Sequence, residues 1–557
     1  MPLRRPTSLA RAPWRRAALA IVAVAAGATA VGAPGGLSHA TPAAASTTAG
    51  TMHTVLPNAS GKTAPSAGAS TRQHGALPTR STRGTAARSN AAVPHTPSSN
   101  AAFSSTLLRN FNGTSSLDSA KTNYGAQFEP PDQGLCEGNG FVLEAVNSAY
   151  TVYTTAGAVV VGPYNVNDLF NEGGYEFTSD PRCFYEASSN RWFTLILFIN
   201  SAGTASHFDV GVSTSGDPSK FFNFYRIDTT DAGNTANGCP CFGDQPLFGI
   251  DQFNVYVSTN EFSILGPNFN GAQVYALDKT NMIAGSATTF TQFSAPDPAS
   301  GVQAASLQPA TSIGAPNAEY LLSSLDPLGT NDNRVAVWAI TQRDIHGGQT
   351  PLLSDVVITS EPYTFPVPAV QKGSTSPITQ NDDRMQQAEW INGSVSAELE
   401  TAIKIGSDPT TRDGAAWFKI APTLTGTAIS SAAIQRQGYV ASAGNYLLYP
   451  AMVVNSGGRT AMVFTLTGAN NFPSAAYAVL GQFGFNFGAP IIPAGGTNSY
   501  RPKPGVPDRW GDYSYALLDT VSHTMWFATE YVPPAPSQTT NGQRNWGTRV
   551  LQLSITG

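Results

Sequence analysis

Apolar residues recur along the chain in short runs divided by turn residues, and the runs come in sets of four. After Asp244 they are Pro246 to Asp251, Val255 to Phe262, Gly271 to Leu277 and Thr288 to Phe293. After Pro309 they are Ala310 to Ile313, Glu319 to Leu325, Arg334 to Thr341 and Leu353 to Thr359. After Asp383 they are Met385 to Ile391, Val395 to Ile403, Ala415 to Ile420 and Ala428 to Arg436. Short runs bounded by Gly, Pro, Asn and Asp predict β-strands. No run combines helical periodicity with caps, so little helix is expected.

A Pro/Asp-rich signature heads each set. It reads Pro131-Asp132-Gln133, Ser179-Asp180-Pro181, Gly243-Asp244-Gln245-Pro246, Leu307-Gln308-Pro309, Asp382-Asp383-Arg384, Tyr449-Pro450 and Gly511-Asp512-Tyr513. From Asp132 to Asp512 the mean step is about 63 residues. Four antiparallel strands per repeat describe a propeller blade. The expectation is therefore an all-β, seven-bladed β-propeller of four-stranded antiparallel blades over residues 103–557. Only three strands follow Asp512: Tyr513 to Leu518, Met525 to Tyr531 and Thr548 to Ile555. The fourth is expected from Leu107 to Phe111, which would close the ring without an open edge. A pair of β-sandwich domains is the alternative, but the repeat runs through the body with no linker-like break.

Composition agrees with many short strands. The 53 Gly and 40 Pro imply frequent turns, and charged residues are only 12% of the chain. The net charge of -5 conceals an asymmetry. Residues 1–100 carry ten basic residues and no acid, leaving 21 basic against 36 acidic residues in the body. A body this acidic repels a phosphate backbone, so nucleic acid is not an expected partner. At the N-terminus, Arg4, Arg5, Arg11, Arg15 and Arg16 precede the uncharged apolar run Ala17 to Val31. Small residues follow at Ser38-His39-Ala40 and Ala43-Ala44-Ala45. This is the pattern of a cleavable export signal over 1–40, and the run is short for a membrane span. Residues 41–102 are Ala, Ser, Thr, Gly and Pro with few large apolar groups, so a disordered spacer is expected. The mature chain is expected to be a monomer, secreted or associated with the cell envelope, without a transmembrane span. Four cysteines fit an oxidising compartment. Of three connectivities, Cys136 with Cys183 and Cys239 with Cys241 is the expected one.

The signatures carry a resemblance. Pro130-Pro131-Asp132, Asn147, Val152-Tyr153, Asp180-Pro181 and Arg191-Trp192-Phe193 resemble a group of secreted bacterial β-propeller proteins, mostly uncharacterised. Gly243-Asp244-Gln245-Pro246, Arg509-Trp510-Gly511-Asp512-Tyr513 and Asn545-Trp546-Gly547-Thr548 match as well. The resemblance covers about 105–557 and implies fold and export more than an activity. The blades are also distantly similar to sialidase-type propellers. That family carries an arginine trio and boxes of the form S-x-D-x-G-x-x-W. Thr411-Arg412-Asp413-Gly414-Ala415-Ala416-Trp417 departs from the box, with its Gly out of register.

Two acidic sets are the candidate chemistry. Asp132, Asp180, Asp244, Asp383 and Asp512 stand at the heads of innermost strands, where carboxylates converging on one rim would repel each other. Ca2+ is the natural guest for such oxygens, with Asp132, Asp180 and Asp383 as the expected ligands. The competing reading has each Asp capping its own turn. Glu261 and Glu530 occupy equivalent second-strand places, with Glu144 and Glu398 as looser counterparts. Asp244 with Glu261, and Asp512 with Glu530, could form acid/base pairs for glycoside cleavage. The folded part has only His207, His346 and His523, in no zinc-binding pattern. Trp192, Trp390, Trp510 and Trp546 could stack on sugars or pack between blades. The leading expectation is a secreted module that binds or scaffolds a glycan or protein at the cell envelope. The alternative is a sialidase-like glycoside hydrolase using paired carboxylates.

Overall fold

The computed structural model describes residues 47–58, 93–95 and 104–556, except 124–127, 173–175, 233–238, 267, 295, 297, 299–300, 303, 327–328, 407, 482–485, 503–508, 536 and 539–541. The expected export signal lies outside the described residues, as does most of the expected spacer.

The expected strand runs form antiparallel ladders of four. Gly134–Gly138, Phe141–Val146, Ala149–Thr154 and Val159–Asn165 make one. Phe177–Glu186, Arg191–Ile199, Ser206–Ser213 and Phe222–Asp228 make the next. Cys241–Ile250, Asn254–Ser263, Phe269–Asp278 and Thr288–Ser294 follow. Gln308–Pro309, Glu319–Ser324, Asp332–Thr341 and Leu352–Tyr363 come after them. Then come Met385–Ile391, Ser394–Ile405, Thr411–Thr425 and Ala428–Val440, and Asn445–Val454, Thr460–Gly468, Asn471–Val479 and Ile491–Ala494. Tyr515–Leu518, Met525–Tyr531 and Gly547–Thr556 complete the series with Ser104–Ser115, the expected closing strand, as their fourth member. The protein is an all-β propeller of four-stranded antiparallel blades.

The expectation of seven separate blades is corrected. Hydrogen bonding joins the described strands into six sheets. The short strand Thr311–Ile313 pairs in parallel with Ile250 on one side and with Glu389–Ile391 on the other. It fuses two ladders into one eleven-stranded sheet.

Apolar side chains fill the spaces between ladders. Phe193, Leu195 and Val210 of one ladder, for example, pack with Val255, Val257 and Tyr275 of its neighbour. Each such side chain contributes roughly 1.5–3 kcal/mol on leaving water. Both expected disulfides are present, with Cα separations of 5.3 Å for Cys136–Cys183 and 4.4 Å for Cys239–Cys241. The first ties the innermost strands of adjacent ladders together.

Short strands lie in the described part of the expected spacer. Thr48–Ala49, Thr51–Val55 and Pro57–Asn58 pair antiparallel with the outermost strands Leu352–Tyr363, Thr288–Ser294 and Phe222–Asp228 in turn. Val93–His95 pairs in parallel with Ser394–Ile405. An edge strand offers unpaired N–H and C=O groups to any extended backbone. Main chain does the recognising, so a segment poor in large apolar residues can still be held.

Candidate functional site

Pro181, Pro246 and Pro450 each follow a residue with a left-handed backbone: Asp180 (φ 59°), Gln245 (φ 45°) and Tyr449 (φ 50°). Ladder register shifts at the same points, between Ser179 and Arg182, Asp244 and Leu247, and Leu448 and Ala451. Pro donates no N–H and is tolerated at a bulge. The Pro-containing signatures Asp180-Pro181, Gln245-Pro246 and Tyr449-Pro450 thus encode a β-bulge at the head of the innermost strand.

Peptide N–H groups at these heads are received by side chains from neighbouring ladders. The Asp180 N–H donates to Asn147 Oδ1 (2.7 Å) and the Gln245 N–H to Asp180 Oδ2 (3.1 Å). The Ser306 N–H donates to Asn260 Oδ1 (2.8 Å), and the Tyr449 N–H to Glu400 Oε2 (3.1 Å). The Asp512 N–H donates to Asp132 Oδ1 (2.7 Å), across the closure of the ring. Asp132 and Asp180 therefore accept N–H groups from neighbouring ladders, and Asp180 also accepts from the Ser179 hydroxyl of its own turn (3.0 Å).

Asp132, Asp180 and Asp512 come together. Their carboxylate oxygens lie within 4.8 Å of one another, and all three residues are buried. Asn147 Nδ2 donates to Asp132 Oδ2 (2.7 Å), and Arg509 Nη2 donates to Asp512 Oδ2 (2.6 Å). Burial, then the charges of Asp512 and Asp180, push the Asp132 carboxyl well above its usual range. Asp383, expected as a third ligand, falls outside this trio. Burial and then the neighbouring Asp326 hold its carboxyl well above the usual range.

The second-strand glutamates share a different device. Glu530, Glu144 and Glu261 each lie against a glycine α-carbon. A β-carbon on Gly511 would stand 2.5 Å from Glu530 Oε1, and one on Gly113 2.5 Å from Glu144 Oε2. One on Gly243 would stand 3.0 Å from Glu261 Oε1. The Gly of each Gly-Asp pair in the signature thus leaves room for the Glu 18 or 19 residues later. Glu261 accepts from the Thr259 hydroxyl (2.6 Å), and burial lifts its carboxyl to about 8. Burial, then Asp132, Asp512 and Glu400, hold Glu530 well above the usual range.

Neither proposed acid/base pair reaches solvent: Asp244 is 3% exposed, Asp512 5%, and Glu261 and Glu530 0%. In the ladder Asp244 stands opposite Asn260, while Glu261 stands opposite Gly243. A glycosidase acid must touch the glycosidic oxygen, and these carboxyls are covered by their own fold. Trp192, Trp510 and Trp546 are likewise buried. Their Nε1 groups donate to Gly216 O (3.0 Å), Thr465 Oγ1 (3.0 Å) and Phe128 O (2.8 Å).

A second polar cluster was not anticipated. His207 Nε2 lies 3.0 Å from Glu172 Oε1, and Arg226 donates to both oxygens of Asp209 at 3.1 and 3.0 Å. His207 stacks on Phe198 with ring centroids 3.9 Å apart. Burial lowers His207 to about 4 and raises Asp209 to about 6. The available signal was His207-x-Asp209, which puts both side chains on one face of a strand, with Arg226 opposite Asp209 in the ladder.

No family model matches the chain, and no curated protein does. Solved structures do. The parainfluenza virus 5 hemagglutinin-neuraminidase ectodomain matches at 10% identity and a TM-score of 0.34, over 68% of this chain and 81% of that one. An exo-β-1,3-galactanase from Clostridium thermocellum matches at 12% and 0.28, over 81% and 97%. Drosophila Plexin A, solved with Semaphorin 1b, matches at 7% and 0.31, over 81% and 88%. Likenesses this remote say nothing of what this chain binds or turns over.

Proposed function

We propose that this protein is an extracellular binding or scaffold module acting at the cell envelope, and that its ligand is a protein. The observation that carries the reading is the outer rim. The outermost strands of three consecutive ladders expose Val159 and Val160, Leu107 and Leu108, and Ile491 and Ile492, from 36% to 55% accessible. Asn110 Nδ2 donates to Pro493 O (3.0 Å) between two of these strands, and Arg109 Nε donates to Thr155 O (3.2 Å) in the turn that leads into the third. Exposed aliphatic side chains gathered on neighbouring outer strands favour an interaction face. Aliphatic side chains favour a protein partner, because sugar recognition leans on aromatic faces and three of the four candidate Trp residues are buried. Two disulfides fit an oxidising compartment. Among the described residues, no helix is long and apolar enough to cross a membrane.

The test is a pull-down from envelope extracts alongside a glycan array, with wild type and the triple variant Leu108→Ser, Val160→Ser, Ile492→Ser. Retention of a protein by wild type, and its loss from the variant at unchanged melting temperature, is expected. Glycan binding without protein binding would redirect the reading to a lectin. Turnover of aryl glycosides that is lost in Asp512→Asn would replace it with the hydrolase.

A further inference from the structure

The carboxylate trio at the heads of the innermost strands has a feature that bulge capping does not explain. Glu530 is fully buried, and among the described residues neither of its oxygens has a hydrogen-bond partner. Its carboxylate rests against Gly511, the residue before Asp512. Gln245, whose N–H is held by Asp180, is buried too, and its Oε1 likewise lacks a partner. Gln133, next to Asp132, donates through Nε2 to the Tyr513 carbonyl (3.0 Å) and leaves Oε1 buried without a partner.

We infer that Asp132, Asp180, Asp512 and Glu530 form a divalent-cation site, with Gln245 Oε1 or Gln133 Oε1 as supplementary donors, and that its guest is Ca2+. Three carboxylates have oxygens within 4.8 Å of one another, Glu530 is near enough to feel the charges of Asp132 and Asp512, and the guanidiniums that feel Asp512 are Arg509, paired to it, and Arg384, paired to Asp382. Burying that excess of negative charge is costly unless a cation or protons neutralise it. The donors are all oxygen, with no thiol or imidazole, which selects a hard cation. Ca2+ accepts carboxylates and carboxamide oxygens in irregular geometry, whereas Mg2+ demands a near-ideal octahedron and keeps several waters. The ion would bind where the first and last ladders meet, since Asp132 and Asp512 bracket the ring closure. Calcium would thus fasten the closure. The site is independent of the rim and of any ligand bound there.

The experiment uses the full secreted chain, stripped with chelator, then titrated with CaCl2 by calorimetry and melted with and without the ion. One Ca2+ per chain is expected, with a melting temperature raised by on the order of 2–4 °C at saturating metal. Terbium should bind in its place and be sensitised by Tyr513 or Trp510, which provides a readout separate from stability. Glu530→Gln should fold, since Glu530 gives up no hydrogen bond to a described residue, and should weaken Ca2+ binding at least tenfold. Asp132→Asn should weaken it too, at some cost in stability through Asp512 and Asn147. The inference is overturned if the wild type takes up no Ca2+ at about 1 mM, the weak end for extracellular calcium modules. It is equally overturned if Glu530→Gln binds the ion as tightly as wild type.

Discussion

Gly511 shows how one residue type is dictated from a distance. Its α-carbon faces Glu530 closely enough that a β-carbon would stand 2.5 Å from one carboxylate oxygen and 2.6 Å from the other. Gly511→Ala should therefore lose roughly 1–3 kcal/mol through overpacking, measured by urea unfolding. Gly393, where a β-carbon would meet nothing within 4 Å, has a left-handed φ of 79° and suits a different test of backbone freedom. Asp180 accepts the buried N–H of Gln245. Asp180→Ala should cost about 1–3 kcal/mol, since it leaves a buried donor unsatisfied. A restored value in Asp180→Asn, whose Oδ1 can still accept that N–H, would identify the bond rather than the charge as the cause.

Among elements, Ser104–Ser115 and the short strands at 48–58 make a controlled contrast. Ser104–Ser115 is paired along its length with Gly547–Thr556 and supplies the fourth strand of that ladder. It also sends Thr114 N–H to Glu144 of the adjoining ladder (2.7 Å). Deleting residues 104–115 should abolish cooperative unfolding or lower the melting temperature severely, followed by circular dichroism. Removing everything before residue 59 leaves every ladder with its four strands. That truncation should shift the melting temperature far less, while uncovering the edges of Leu352–Tyr363, Thr288–Ser294 and Phe222–Asp228. Uncovered edges template pairing between copies, so concentration-dependent association by light scattering is the expected outcome. Equal loss of stability from both truncations would contradict the closure.

At the scale of the whole molecule, buried carboxyls set the pH dependence. Burial raises Glu137, Glu261 and Glu389 to about 8 each. Between the unfolded value near 4.5 and the folded value near 8, the folded chain holds protons that the unfolded chain has released. Their contribution is complete below about 4.5 and is lost as pH rises toward about 8. His207 works in the opposite sense. Burial lowers it to about 4, so its contribution is present above 6.5 and is lost as pH falls through 4. Stability should be greatest in mildly acid solution, with a higher urea midpoint near pH 5–6 than near pH 8.5, a consequence of these opposed shifts. Glu261→Gln, which cannot ionise, should flatten the alkaline limb. An unchanged midpoint across that range would contradict the burial of these acids.

What the sequence determined by itself is what depends on local pattern. Strand runs, the Pro/Asp signature, the closing strand near Leu107 and both disulfides were legible because alternation, turn residues and cysteine spacing act over a few residues or one repeat. The tertiary structure decided which carboxylates meet. Asp512 joins Asp132 and Asp180 while Asp383 turns to Asp326, because the position of each strand head around the ring is set by how whole ladders pack. It also decided that the bulge acids cap their neighbours, since a bulge N–H is met by whichever ladder stands alongside. The pairing of residues 48–58 with outer edges left no mark in side-chain composition, because backbone groups make those bonds. Glu172, His207, Asp209 and Arg226 assembled for the same reason: the contact joins residues 54 apart, from Glu172 to Arg226, that only the folded ladders bring together.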